Sequence, residues 1–168
     1  DSIDPFQIPR FLASQAVALA LPGVPGVYIH SILGSNNWHE GVRTTGRART
    51  INRRQLSVDT VGAQLSDPRC LRAQVFHPFC RMLRTRIRQP AFHPSAGMEI
   101  LPLDDRIFAV RRFCQDQTLF ALTNFSTDTL TICLPGEDKH AVVTDLLGGR
   151  RFKAGAVTIA GYETAWLT

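Results

Sequence analysis

An apolar helix that runs through one tight turn into an apolar strand is the strongest constraint this sequence places on its fold. In IPRFLASQAVALAL, Phe11, Leu12, Gln15, Ala16, Leu19 and Ala20 recur at helical spacing and lay out a wide apolar face. Pro22-Gly23 stops the helix. After Pro25-Gly26 comes VYIHSIL, rich in β-branched and aromatic residues, which predicts a short strand buried on both sides. Helix, turn and buried strand are half of a βαβ repeat, and such a strand needs parallel neighbours with helices on both faces. Those neighbours are expected upstream of Asp1, and an opening DSIDPFQ with no Met points the same way.

Downstream, residues 34–56 (GSNNWHEGVRTTGRARTINRRQL) show no period and read as a long polar loop, a length that in compact domains usually marks function or disorder. Ser66-Asp67-Pro68 is a helix start with Asp67 as N-cap. Leu71, Val75, Phe76, Phe79, Met82, Leu83 and Ile87 then make an amphipathic helix, which Pro78 should kink or divide. It ends at Gln89-Pro90, and PAFHPSAG is a connector at a domain boundary. From Met98 the rhythm changes to short alternating runs (MEILPL, RIFAVRRF, TLFALTNF, TLTICL, AVVTDLL, AVTIA, ETAWLT) separated by turn residues. That pattern predicts an antiparallel sandwich of six or seven strands. The expected class is therefore α+β, with residues 1–90 mixed and 97–168 all-β.

With 168 residues and 44% hydrophobic composition, the chain can bury a core. No apolar run reaches the ~18 residues of a membrane span, and no basic, apolar leader opens the sequence, so a cytoplasmic protein off the membrane is expected. Cys70, Cys80, Cys114 and Cys133 form no C-x-x-C pair; buried free thiols are the expectation, with Cys114 and Cys133 the one pair that neighbouring strands could bring together. The charge of +5 is almost all arginine, Lys139 and Lys153 being the only lysines. Arginine's planar fork suits phosphate or carboxylate, but the arginines are scattered and not interleaved with aromatics, which argues against nucleic acid. No histidine or cysteine spacing suggests a metal, and no cofactor motif is present.

The run RFLASQAVALALPGVPGVYIHSILGSNN resembles the last helix–strand junction of the barrel in the alpha-amylase family of glycoside hydrolases. With GRARTINRRQL, LSDP and its helix, PAFHP and the closing YETAWLT, the resemblance extends over nearly the whole chain and is to the sucrose phosphorylase branch. It implies the last helix–strand–helix portion of a (β/α)8 TIM barrel followed by an antiparallel β-sandwich C-terminal domain. A complete barrel takes ~250 residues, so most of it would lie outside this chain. The implied activity is transfer of a glucosyl unit from sucrose or a related glucoside to phosphate. An alpha-glucoside hydrolase and a non-catalytic carbohydrate-binding or structural β module are the alternatives, and a homo-oligomer could form through exposed barrel surface.

Retaining glycoside chemistry needs two carboxyl groups about 5 Å apart, and in the family these acids sit on earlier strands than the one matched here. No catalytic residue is therefore assigned. Asp1 and Asp4 precede the helix and read as surface or capping groups, and Glu40 reads as a solvated loop acid. By resemblance Arg49, in RTINR, is the arginine set against glucosyl hydroxyls; pairing with a barrel carboxylate to hold the loop is its alternative. The acidic residue usual after that arginine is replaced by Thr50. Asn37, Trp38 and His39, beside Asn36, are the other substrate-binding candidates, Trp38 being read either as a stacking face for sugar or, preferably, as an anchor for the loop. His30 reads as a core histidine. The five arginines Arg43, Arg47, Arg49, Arg53 and Arg54 read either as an attractor of phosphate or an anionic acceptor, or as an ordinary solvated loop. Asn124-Phe125-Ser126 fits a glycosylation pattern but falls inside a predicted strand.

Overall fold

The computed structural model describes residues 4–168, which form two compact units: the residues up to Pro25 with 81–168, and Gly26–Cys80.

The first unit is built on a four-stranded antiparallel sheet of order β1-β2-β3-β8, where β1 is Gly97–Ile100, β2 Ile107–Cys114, β3 Gln117–Asn124 and β8 Thr164–Leu167. Two further antiparallel pairs, β4 (Leu130–Ile132) with β7 (Val157–Ile159) and β5 (Val142–Thr144) with β6 (Arg151–Lys153), complete it. Period-two alternation decides the layering. On one face Ile107, Ala109, Phe120, Leu122, Ala165 and Leu167 join Leu130, Ile132, Val157 and Ile159 in the apolar core. On the other face Val110, Leu119, Ala121 and Trp166 are equally buried, and helix α1 (Gln7–Ala20) packs there against β2 and β3. The antiparallel architecture matches the expectation; the eighth strand, β6, carries too few apolar residues to announce itself.

Helix α1 buries Ala13, Ala16, Leu19 and Ala20, three of them on the face predicted from spacing. Its small residues allow a close approach to the sheet, and its negative end then needs compensation. The last turn of α1 holds no basic residue, so cations arrive from elsewhere. Arg112 of β2, fully buried, donates to the carbonyls of Ala20 (3.0 Å), His93 (3.0 Å), Gly97 (3.2 Å) and Ala96 (3.4 Å). Arg86 donates to Leu19 O (2.8 Å) and Gly23 O (2.9 Å). The Phe92 ring lies near both guanidiniums, at 5.7 and 5.9 Å, and meets Trp166 edge-on at 4.7 Å. Together these groups satisfy helix-end carbonyls that would otherwise be orphaned in a dry interior. Burial lowers the pKa of both arginines, and the Arg86 charge adds to the effect on Arg112.

Local polar turns fix the loops. Asn124, fully buried, donates through Nδ2 to Asp128 O, Ile159 O and Ala160 O and accepts from the Ser126 amide, so it is closed to glycosylation. The buried Asp145 carboxylate accepts from the backbone amides of Leu147, Gly148 and Trp166. Cys114 and Cys133 carry separate free thiols, and none of the four cysteines is buried as expected: Cys133 is exposed and Cys70, Cys80 and Cys114 are half-buried. Asp4 accepts from the Phe6 amide just ahead of α1, as a capping group would; Asp1 lies outside the described residues.

In the second unit three expectations give way. The VYIHSIL segment is not a strand: residues 24–28 have no regular secondary structure and no strand partner among the described residues, and Ile29–Ile32 form a short helix, α2. Unpaired backbone groups take local partners instead, Ile32 N–H bonding Tyr28 O and Leu33 N–H bonding Ile29 O, both at 3.1 Å. The 34–56 loop contains helix α3 (His39–Thr45) and a 3-10 turn, Ala48–Asn52. Asp67 ends a helix, α4 (Val58–Ser66), instead of starting one, and α5 (Leu71–Arg86) begins later and continues through Pro78. An interior proline costs about 3 kcal/mol, but burying Val75, Phe79 and Met82 on α5 returns ~1.5–3 kcal/mol each, so the helix survives.

Two outcomes are expected. Arg112→Met, similar in length but without donors, should strand four carbonyls and lower unfolding free energy by about 3 kcal/mol or more, read from a urea midpoint at unchanged slope. Arg106 holds the Asp104 carboxyl down to about 2, chiefly through its side-chain hydrogen bond, against ~3.9 when free. That contribution to stability is fully present above pH ~4 and is lost as pH falls through about 2; a carboxyl-carbon NMR titration should show Asp104 rising part of the way back to the ordinary range in Arg106→Gln, which keeps the amide of residue 106 on the carboxylate.

Candidate functional site

Every candidate binding residue lies in the second unit, on the segment 34–56. Its entry is fixed at Gly34, in the left-handed region at φ +58°, where a Cβ would stand 3.0 Å from Val75. Arg72 donates to Leu33 O (2.8 Å), Ser35 Oγ (3.2 Å) and Gln64 Oε1 (2.9 Å), stapling this turn to α4. His30 Nδ1 shares a 3.1 Å hydrogen bond with Ser35 Oγ, so this half-buried histidine holds the turn rather than filling a core.

Trp38 has a definite place. Its amide donates to Ile51 O at 2.6 Å, and its indole lies over buried Gly41 so closely that any Cβ there would overlap the ring. Trp38 and Gly41 are three residues apart, one helical turn, which is how the ring reaches that glycine. Thr45 Oγ1 donates to Gly41 O (2.7 Å) and pairs with Thr50 Oγ1 (3.0 Å), while the Tyr28 hydroxyl donates to Asn52 O (2.7 Å). Helix α3 and the 3-10 turn are thus two packed helical turns tied at both ends.

On this scaffold Asn37, His39 and Arg49 are exposed, and Trp38 is half-buried against Gly41 as an anchor. The Trp38–Ile51 bond brings the Asn37–His39 stretch beside the turn that carries Arg49. Among the described residues, though, Arg49 shares no hydrogen bond with Asn37, Trp38 or His39. Arg43, Arg47, Arg49, Arg53 and Arg54 are all exposed, and among the described residues no carboxylate pairs with any of them. Glu40, on α3, is exposed. A cavity of about 350 Å³ opens nearby, walled by Ile29, Leu33, Leu56 and Val61 with His30 and Arg54 as its polar members. An apolar wall with one free cation suits part of a polar ligand's body and its anionic group.

Sequence reasoning missed Gly41, Tyr28 as a tether, and Arg72. The W-x-x-G spacing was a readable signal for Gly41; Tyr28 and Arg72 act across 24 and 39 residues of chain, and no local pattern announces that. Replacing Gly41 with Val should expel the indole: tryptophan emission should shift to the red while the buried Trp166 contribution stays, and an unchanged spectrum would refute the packing.

Comparison with known proteins follows the same lines. No family model matches the chain. The glucosylglycerate phosphorylase of Spirochaeta thermophila is 39% identical over an alignment of 182 residues that takes in 98% of this chain and 30% of that protein. Those of Allomeiothermus silvanus and Escherichia coli K12 are 38% and 30% identical, over 99% of the chain in each case and 28% and 29% of their own lengths. The chain spans about three tenths of the length of the curated relatives it matches. Among solved structures, an Anoxybacillus alpha-amylase superposes with TM-score 0.73 at 14% identity over 98% of this chain and 32% of its own, and AmyP in complex with maltose with TM-score 0.76 at 16% identity over 98% and 36%. The structural likeness concerns the fold, which this chain shares with alpha-amylases over nearly its whole length, and the sequence relation along the whole chain is to glucosylglycerate phosphorylases.

Proposed function

We propose that these residues are the closing part of a glucosyl phosphorylase: the last helix, eighth strand and final helices of a (β/α)8 barrel, then the β domain. In the whole enzyme a glucosyl group passes from an anionic glucoside such as glucosylglycerate to phosphate through a covalent glucosyl-enzyme. An enzyme carboxylate bonds C1 as the donor's C1–oxygen bond breaks and the leaving oxygen takes a proton; a phosphate oxygen then bonds C1 as the carboxylate–C1 bond breaks. The acids for these steps belong to earlier barrel strands, and this portion contributes the wall of the sugar site.

The single observation that carries the reading is the sequence relation to glucosylglycerate phosphorylases over 98% of the chain. A second observation supports the barrel: Val24, Val27, Tyr28 and Ile29 are 84, 38, 45 and 57% exposed, and the backbone of 24–28 has no strand partner among the described residues. Exposed apolar side chains on a segment without a strand partner are what a strand's residues show when its neighbours are elsewhere. In this reading Arg49 donates a bidentate pair to vicinal glucosyl hydroxyls. Asn37 and His39 supply further polar contacts from the adjoining turn, and Trp38 holds both turns in register. The carbohydrate and phosphate are the partners. No helix among the described residues is long and apolar enough to cross a membrane.

The test is an assay of the full-length enzyme with glucosylglycerate, with and without phosphate. Phosphate-dependent release of glucose 1-phosphate is expected; equal turnover without phosphate would make the protein a hydrolase and end the phosphorylase reading. In the same assay Arg49→Lys keeps the charge but loses the fork, and should lower kcat/KM for the glucosyl donor about tenfold or more.

A further inference from the structure

Arg49 stands second in the Ala48–Asn52 turn, and the three residues that follow it are each held from a different point. Thr50 Oγ1 shares a 3.0 Å hydrogen bond with Thr45 Oγ1, Ile51 O accepts from the Trp38 amide at 2.6 Å, and Asn52 O accepts from the Tyr28 hydroxyl at 2.7 Å. Trp38 and Thr45 belong to the same 34–56 stretch, so their bonds fold that stretch onto itself. Tyr28 lies outside it. We propose that Tyr28 is a positioning residue: its hydroxyl sets where the Arg49 turn stands relative to the segment read as the eighth strand, and it acts on the glucosyl group through Arg49 without touching it. The inference rests on the sugar-facing reading of Arg49 and adds to it the group that aims that side chain.

Three observations carry it. The tether is braced at its own base: the Tyr28 ring lies 5.4 Å from the His30 imidazole, His30 Nδ1 shares a 3.1 Å hydrogen bond with Ser35 Oγ, and Arg72 Nη1 donates to Ser35 Oγ and to Leu33 O. A continuous run of contacts therefore leads from Arg72 through Ser35, His30 and Tyr28 to Asn52. Next, the Tyr28 proton is committed to a main-chain carbonyl of the turn that carries Arg49, so the bond holds the backbone from which the guanidinium projects. Finally, the loop has its own packing without Tyr28. Trp38 covers Gly41, and Thr45 Oγ1 bonds both Gly41 O and Thr50 Oγ1. Loss of the Tyr28 hydroxyl therefore frees the turn to shift as a body while its internal structure stays.

A tyrosine suits such a strut, since a rigid ring on two torsions has little freedom to lose. A guanidinium that donates two parallel bonds has to meet both acceptors at once. A shift of the turn therefore weakens it more than it weakens a single hydrogen bond, and a misplacement of about 1 Å can lower a rate on the order of a hundredfold. Phenylalanine at position 28 keeps a ring against His30 and removes only the oxygen that fixes the turn.

A double-mutant cycle in the full-length enzyme tests the assignment. Tyr28→Phe should lower kcat/KM for the glucosyl donor about fivefold or more, while tryptophan emission stays at the parent's wavelength because Trp38 keeps its place on Gly41. In an Arg49→Lys background the same change should lower kcat/KM less than about twofold, since lysine has no fork left to aim. A residue that only stabilises the loop, or one that touches the sugar itself, takes its full effect in both backgrounds. Equal losses in the two would therefore overturn the positioning role, as would unaltered kcat/KM in Tyr28→Phe or a red shift showing that the loop had lost its packing. An Arg49→Lys enzyme as active as the parent would overturn the sugar-facing reading of Arg49 and the inference with it. Turnover that ignores phosphate would overturn the phosphorylase reading alone, because the cycle is read on donor cleavage either way.

Discussion

Two buried arginines hold the first unit together. Helix α1 is made of small residues so that it can approach the sheet closely, and closeness would trap the carbonyls of its last turn away from water. Six hydrogen bonds from Arg86 and Arg112 reach Leu19, Ala20, Gly23, His93, Ala96 and Gly97. They satisfy that helix end and the connector after α5 at once, and Phe92 and Trp166 pack around the charges. A hydrophobic side chain at position 112 would fill the space and leave the carbonyls unpaired, which is the larger cost. The sheet, the sandwich core beneath it and the closing TAWL strand all depend on this helix being seated.

The second unit uses a different device and leaves most of its polar side chains in solvent. Trp38 on Gly41, Thr45 on Thr50 and Tyr28 on Asn52 lock two short helical turns together without enclosing them. Rigid turns carrying polar groups on their outer side are what a binding wall requires, since precision comes from the support behind the contacting residues. Placing the anchors inward leaves Asn37, His39, Arg49 and the remaining arginines facing outward, free of internal ion pairs.

Legibility in the sequence followed the range of the forces involved. The strands from Gly97 onward and helix α1 were readable because alternation and helical spacing are local. Arg112 was not, since in RIFAVRRF it looks like one of two surface arginines, and only the arrival of α1 against β2 makes its burial worthwhile. The VYIHSIL segment misled for a related reason: its composition favours a strand, yet its backbone bonds locally, Ile32 and Leu33 closing a helical turn on Tyr28 and Ile29. The Asp67-Pro68 signal was real punctuation assigned to the wrong side: it closes α4, in which Val58, Val61 and Leu65 recur at helical spacing, and α5 begins only at Leu71. Of the site, Arg49 and the Asn37–His39 stretch were readable as exposed polar groups through the family resemblance.

Amide hydrogen exchange across Val24–Ile29 tests most directly whether this segment is a barrel strand that lacks its neighbours. Measured on this chain and on the full-length enzyme, the amides of residues 24–28 (Pro25 excepted) should exchange rapidly in the first and be strongly protected in the second. Strong protection already in the chain alone, or none in the full-length enzyme, would contradict that assignment and remove the structural support for a sugar site above it.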